Sequence, residues 1–220
     1  MSFTLSAMPH LLCTSDLACE RDSRVLYNGL NIAVKAGELW HVKGRNGAGK
    51  TTLLRQLSGL HPVDTGKILY PKESTKVIYI GHKLGLKEQL SADENLSWLV
   101  GLDGSSTQEQ RYAALERVGL RGYEENTVAQ LSAGQKRRVA LARLHLCKVD
   151  IWLLDEPFTS LDQQGIVDEL DWLNQHTLSG GAVLMTSHQE ISLPQVKVLD
   201  LGQYTALSSQ WPQNEGVPLV

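Results

Sequence analysis

The chain has 220 residues, 42% of them apolar and 20% charged, with a formal net charge of −3. That is ordinary globular composition for one domain or one domain with a sizeable subdomain, and it excludes disordered and collagen-like classes. The slight acidity gives no basic footprint for a nucleic acid or an anionic membrane, so any anion site must be local.

Cys13, Cys19 and Cys147 are odd in number and form no CxxC pair, so a disulfide frame or a zinc site is not expected and a reducing compartment fits. The N-terminus MSFTLSAMPHLLC lacks a basic region followed by a long apolar core, and runs such as IWLL are far shorter than the ~18 residues a spanning helix needs. The chain by itself reads as soluble.

In chain order, Leu39 to Lys43 is the first strand candidate. After a glycine-rich turn comes TTLLRQLSG, with Leu53, Leu54 and Leu57 on one helical face and Gly59 where the helix would stop. Lys67 to Tyr70 and Lys76 to Ile80 read as two further strands separated by a turn containing Pro71. From about Lys83 to Cys147 the period becomes helical in three stretches, LSADENLSWLVGL, QEQRYAALERVGL and SAGQKRRVALARLHLC, which predicts a helical insertion in an α/β core. Ile151 to Leu154 has the unbroken apolar character of a parallel strand buried on both faces, and 182–187 and 196–201 are the last two strands.

Gly44-Arg45-Asn46-Gly47-Ala48-Gly49-Lys50-Thr51 satisfies G-x-x-x-x-G-K-[ST] between a strand and a helix, the context a phosphate cradle requires. Glycines let main-chain N–H groups curl toward phosphate oxygens, Lys50 reaches the terminal phosphates and the Thr51 hydroxyl is a Mg²⁺ ligand. A glycine-rich turn around a surface lysine is the bland alternative, and the flanking strand and helix weigh against it. IWLLDEP sets Asp155 at the carboxyl end of a buried strand, on the metal side of the cradle. Glu156 is expected to be held extended by Pro157, pointing away from Asp155 and free to deprotonate a water. Leu131-Ser132-Ala133-Gly134-Gln135 opens a helix as a capping box, and the same helix start is an anion site for another surface.

With these residues in hand, the chain resembles the ATP-binding subunits of ABC transporters over about Leu17 to Leu201. GRNGAGKT, extended by Thr52, resembles Walker A; LSAGQ resembles the signature, IWLLDE Walker B, Ser160-Leu161-Asp162 the D-loop and Thr186-Ser187-His188 the switch histidine. The resemblance implies a P-loop NTPase core over 1–82 and 148–205, a helical insertion over 83–147 and a short tail over 206–220. It implies ATP and Mg²⁺ as cofactors, Glu156 as general base, Lys50 and His188 on the γ-phosphate, and a second copy packed head to tail so that Ser132 and Gly134 meet the partner's nucleotide while Asp162 links the two sites. Integral membrane permease subunits are the other implied partners, at the cytoplasmic face of a bacterial inner membrane.

Two departures from the family pattern carry more information. His82 stands where most relatives have a Gln that reaches Mg²⁺ and the attacking water; a neutral imidazole retains one acceptor nitrogen and loses it on protonation. The adenine-stacking aromatic falls near Arg21, with Tyr27 as the alternative from a shifted loop. Within the family, IGHKLGLK, LSADENL, LSAGQKRRVALARL and DEPFTSLD resemble the haem-export subgroup of cytochrome c maturation, with a transporter of lipid, metal or peptide as the rival. A DNA-repair or translation ATPase is disfavoured by the single bare cassette, and a degenerate scaffold by the presence of Lys50, Glu156 and His188.

Overall fold

A computed structural model describes residues 9–101, 106–189, 191, 193 and 195–205, so the tail expected over 206–220 lies outside the described residues. In chain order the elements are β1 (His10–Arg21), β2 (Arg24–Leu30), β3 (Ala33–Lys35), β4 (Leu39–Lys43), α1 (Lys50–Leu57), β5 (Thr65–Leu69), β6 (Val77–Ile80), α2 (Ala92–Gly101), α3 (Gln108–Arg117), α4 (Ala133–Ala142), β7 (Ile151–Asp155), α5 (Gln163–Leu178), β8 (Ala182–Thr186) and β9 (Lys197–Asp200). The three helices expected between β6 and β7 are α2, α3 and α4.

β6, β7, β8, β4 and β9 pair in that order, all parallel. Every residue of β7 and β8 is buried, as two-sided coverage of a parallel strand demands. The strand period of two divides them cleanly. Ile151, Leu153, Ala182 and Leu184 face a core shared with Leu53, Leu54 and Leu57 of α1, whereas Trp152, Leu154, Val183 and Met185 face a core built with Leu96, Leu115, Leu141 and Leu173 of α2 to α5. Each fully buried leucine contributes about 1.5–3 kcal/mol.

A second, antiparallel sheet of β2, β1 and β3, with β5 also paired to β1, was not expected from the sequence. β1 hides its alternation, because Asp16 takes a left-handed φ of 48° and the register slips between Leu17 and Cys19. The strand expected at Lys67 to Tyr70 begins earlier, at Thr65, and joins this antiparallel sheet, while β6 joins the parallel one. Pro71 therefore separates two sheets.

α5, also unread in the sequence, is capped by Asp162, whose side chain accepts from the Gly165 N–H at 2.9 Å. It carries Glu169 inward with no exposed surface, and neither carboxylate oxygen has a hydrogen-bond partner. Burial pushes this carboxyl from its ordinary 4.5 up to about 8, with the positive charge of Arg137 opposing.

The folded chain therefore keeps Glu169 neutral over a pH range in which the unfolded chain has already ionised it, so stability is lost as pH rises from about 4.5 toward 8. Glu169→Gln removes that titration, and thermal melts at about pH 5 and about pH 8.5 should show its melting temperature gaining on the parent's as pH rises. A difference independent of pH contradicts this account.

Candidate active site

Because β6, β7, β8 and β4 are parallel neighbours, their carboxyl ends deliver four chain segments to one edge: Gly81-His82, Asp155-Glu156, Ser187-His188 and the loop from Gly44 to Lys50. These segments border a cleft of about 550 Å³ lined by residues 46–52 together with Arg21, His82, Asp155, Glu156 and His188. That volume lies within the roughly 300–1,000 Å³ range of small-molecule sites. Gly44 lines an adjoining depression with His41, Lys43 and Lys50, and Arg45 is exposed beside it.

The loop conformation follows from its glycines. Gly49, just before α1, has φ 94°, and a Cβ there would stand 3.0 Å from that of Leu26. Lys50 is anchored by donation to the Gly44 carbonyl at 2.8 Å, so its amine lies over the loop. Below it, His41 of β4 is 3% exposed and its Nε2 lies 3.1 Å from the Ser187 carbonyl oxygen, tying β4 to the β8 exit. Burial lowers the pKa of this imidazole, which favours the neutral ring. His41 was not singled out from the sequence; a polar residue inside an otherwise apolar strand was the available signal.

Asp155 is 3% exposed and both of its oxygens are engaged. Oδ2 accepts from the Thr51 hydroxyl at 2.8 Å and Oδ1 from the Thr186 hydroxyl at 2.9 Å. Thr51 and Asp155, expected from separate motifs, are thus in contact. A hydroxyl and a carboxylate are hard oxygen donors of the kind Mg²⁺ takes, and this ion characteristically uses one or two protein oxygens with phosphate and water completing its shell. Among the described residues no group of three or more His, Cys, Asp or Glu side chains is placed to hold a metal. The residues present fit Mg²⁺.

Glu156 differs from its expected conformation. It is not extended; its φ is +54°, in the left-handed region, which costs a non-glycine residue about 1–3 kcal/mol. Partners on both sides of the residue impose it. Its N–H donates to Thr186 Oγ1 at 2.8 Å, and Arg137 of α4 donates to its carbonyl and, at 2.9 Å, to that of Asp155. The preference that Pro157 imposes locally is overridden by these contacts from distant elements. The side chain so directed accepts the His188 N–H through Oε2 at 3.2 Å, with His188 Nε2 3.5 Å from Oε1. Oε1 is buried and has no hydrogen-bond partner.

Arg21 lines the cleft and its Nη2 lies 2.6 Å from His61 Nε2, whereas Tyr27 is fully buried with its hydroxyl donated to Gln56 at 2.5 Å. Of the two adenine-stacking candidates, only Arg21 borders the cleft. None of Leu131, Ser132, Ala133, Gly134 or Gln135, nor Ser160, Leu161 or Asp162, lines it. Ser132 caps α4, accepting from the Gln135 N–H at 3.2 Å while Gln135 Oε1 accepts from the Ser132 N–H at 2.9 Å, so the expected capping box is present. Gly134 lies against the Ser160 carbonyl, where a Cβ would approach to 2.6 Å, and Asp162 pairs with Arg138 at 2.7 Å. The two motifs thus form one surface in the single chain.

The ABC transporter family profile matches residues 27–159, more than half of the chain. The chain belongs to the ABC transporter family. It is 45% identical over 210 residues to a Saccharophagus degradans protein named cytochrome c biogenesis ATP-binding export protein CcmA, covering 88% of this chain and 94% of that one. A Pseudomonas putida protein of the same name is 43% identical over 206 residues, covering 89% and 98%. Among solved structures, the ATP-binding subunit of an ABC transporter matches with a TM-score of 0.73 and 26% identity, covering 81% of this chain and 79% of that one. The fold is therefore the P-loop NTPase architecture of ABC cassettes, which bind ATP and act as dimers with membrane permease partners.

Thr186 joins the two carboxylate residues of this ABC cassette through one hydroxyl. Thr186→Val should strand the Glu156 N–H and one Asp155 oxygen and destabilise the chain by about 1–3 kcal/mol in denaturant unfolding, and parental stability would refute the bridge.

Proposed function

We propose that this chain is the ATP-hydrolysing subunit of an ABC transporter that drives haem export or haem-chaperone release in cytochrome c biogenesis. The observation that carries hydrolysis is Glu156 Oε1, a buried carboxylate oxygen with no hydrogen bond and His188 Nε2 at 3.5 Å, at the wall of a cleft that also holds Lys50, Thr51 and Asp155. The observation that carries the pathway is the likeness to the two CcmA proteins over most of their length.

In this reading the N–H groups of residues 44–52 and the Lys50 amine hold the phosphates, and Arg21 lies against the base. Thr51 and Asp155 would hold Mg²⁺, which when bound would neutralise phosphate charge. Glu156 takes the proton of the attacking water, which bonds to its free oxygen, and His188 stands over the same group to face the γ-phosphate. His82 lines the same cleft, and its neutral imidazole would offer an acceptor nitrogen toward the attacking water. Ser132 and Gly134 serve the nucleotide of a second copy packed head to tail, in agreement with their place outside this chain's own cleft, and Asp162 lies at that contact. Residues 83–147 form the insertion facing the permease, and residues 1–82 with 148–205 the catalytic core. No helix among the described residues is long and apolar enough to cross a membrane, which suits a subunit held peripherally at the cytoplasmic face of the inner membrane by its permease.

Glu156→Gln should leave ATP binding intact, trap an ATP-bound dimer and reduce turnover by on the order of a hundredfold or more in the purified complex. Turnover near the parent's would remove the general-base role. Purification from membranes with native partners retained should recover permease subunits of cytochrome c maturation; a permease dedicated to lipid, metal or peptide would replace the haem assignment with that substrate.

A further inference from the structure

Arg137 lies on α4, five residues after the helix-capping Ser132, and is only 4% exposed. A buried guanidinium is ordinarily answered by a carboxylate at bonding distance, yet every hydrogen bond it makes here is to a main-chain carbonyl. Nη1 donates to Gly81 at 3.0 Å, Nε to Pro157 at 3.0 Å, and Nη2 to both Asp155, at 2.9 Å, and Glu156. Its planar fork thereby joins three places at once: the helix that begins with Ser132, the end of β6 immediately before His82, and the whole Asp155-Glu156-Pro157 turn. Glu169, held neutral by burial and without a hydrogen bond of its own, makes no bond to the guanidinium.

The choice of acceptors has a consequence for Glu156. Its left-handed backbone is fixed from one side by Thr186 on its N–H and from the other by Arg137 on its own carbonyl and those of its two neighbours. Resting on the reading of Glu156 as the base, we propose that Arg137 is a positioning residue: it holds the Glu156 carboxylate toward the cleft, so that a shift of α4 with the helical insertion turns the base toward or away from the water. Lysine cannot reproduce the effect, because a single ammonium does not present the planar fork that reaches acceptors on three sides.

A plain structural staple between α4 and the core would use the same bonds, so the test must separate folding from positioning. In the complex retained with its membrane subunits, and at a temperature below the variant's own melting temperature, which the lost buried bonds lower, Arg137→Lys should lower kcat for ATP by on the order of tenfold to a hundredfold while the KM for ATP stays near the parent's. In a Glu156→Gln background, adding Arg137→Lys should cause no further fall in single-turnover hydrolysis, because the group it positions is already gone. Parental kcat in Arg137→Lys, a changed KM at constant kcat, or effects that multiply in the double variant would each overturn the proposal. If Arg137→Lys is recovered unfolded, Arg137→Gln, which keeps a neutral donor toward the turn, carries the same cycle to the same two outcomes. Turnover surviving in Glu156→Gln alone defeats the base assignment itself, whereas an inert Glu156→Gln beside a fully active Arg137→Lys defeats only the positioning role.

Discussion

Everything chemical in this molecule depends on the polarity of five strands. A parallel pairing of β6, β7, β8 and β4 sends each chain out of the sheet on the same side, so residues far apart in sequence, from His82 to His188, become neighbours without any long loop having to reach across. The complete burial of β7 and β8 between two apolar cores makes the edge rigid, and a rigid edge lets a threonine hydroxyl such as that of Thr186 hold two acidic residues in fixed relation.

Polar groups at that edge are arranged so that few are left without a partner. Asp155 is engaged at both oxygens and Lys50 lies over the Gly44 carbonyl, while His41 ties β4 to the β8 exit from beneath. Against that background Oε1 of Glu156 stands out, since it accepts no hydrogen bond and has only His188 Nε2 at 3.5 Å, and a buried acceptor without a hydrogen bond is costly unless something outside the protein completes it. The left-handed backbone of the same residue adds a second local cost in the same place, and strain of this kind persists only where surrounding contacts hold it.

Much of this was legible in the sequence because it is local. The strand-loop-helix around residues 44–51, the double-sided burial of Ile151 to Leu154 and the reciprocal bonds of Ser132 and Gln135 all follow from patterns a few residues long. What escaped is what depends on distant partners. β1 lost its alternation to a slip in register, β5 and β6 parted into different sheets across a short turn, and Glu156 took its conformation from an arginine 19 residues earlier in the chain. The rule that proline keeps its predecessor extended is a statement about an isolated dipeptide, and three hydrogen bonds from α4 to this turn outweighed it.

The capping box at Ser132 has one more implication. A hydroxyl carries two acceptor positions and one proton, and the cap uses an acceptor position, for the Gln135 N–H. The proton remains to be offered outward from an exposed helix start whose main-chain N–H groups already lend positive potential. Stabilising α4 and greeting an anion on another molecule are therefore not rival uses of Ser132. Alanine at this position would remove both, while threonine would keep the hydroxyl and add a methyl group on the surface that the proposed head-to-tail pairing would turn toward an anion.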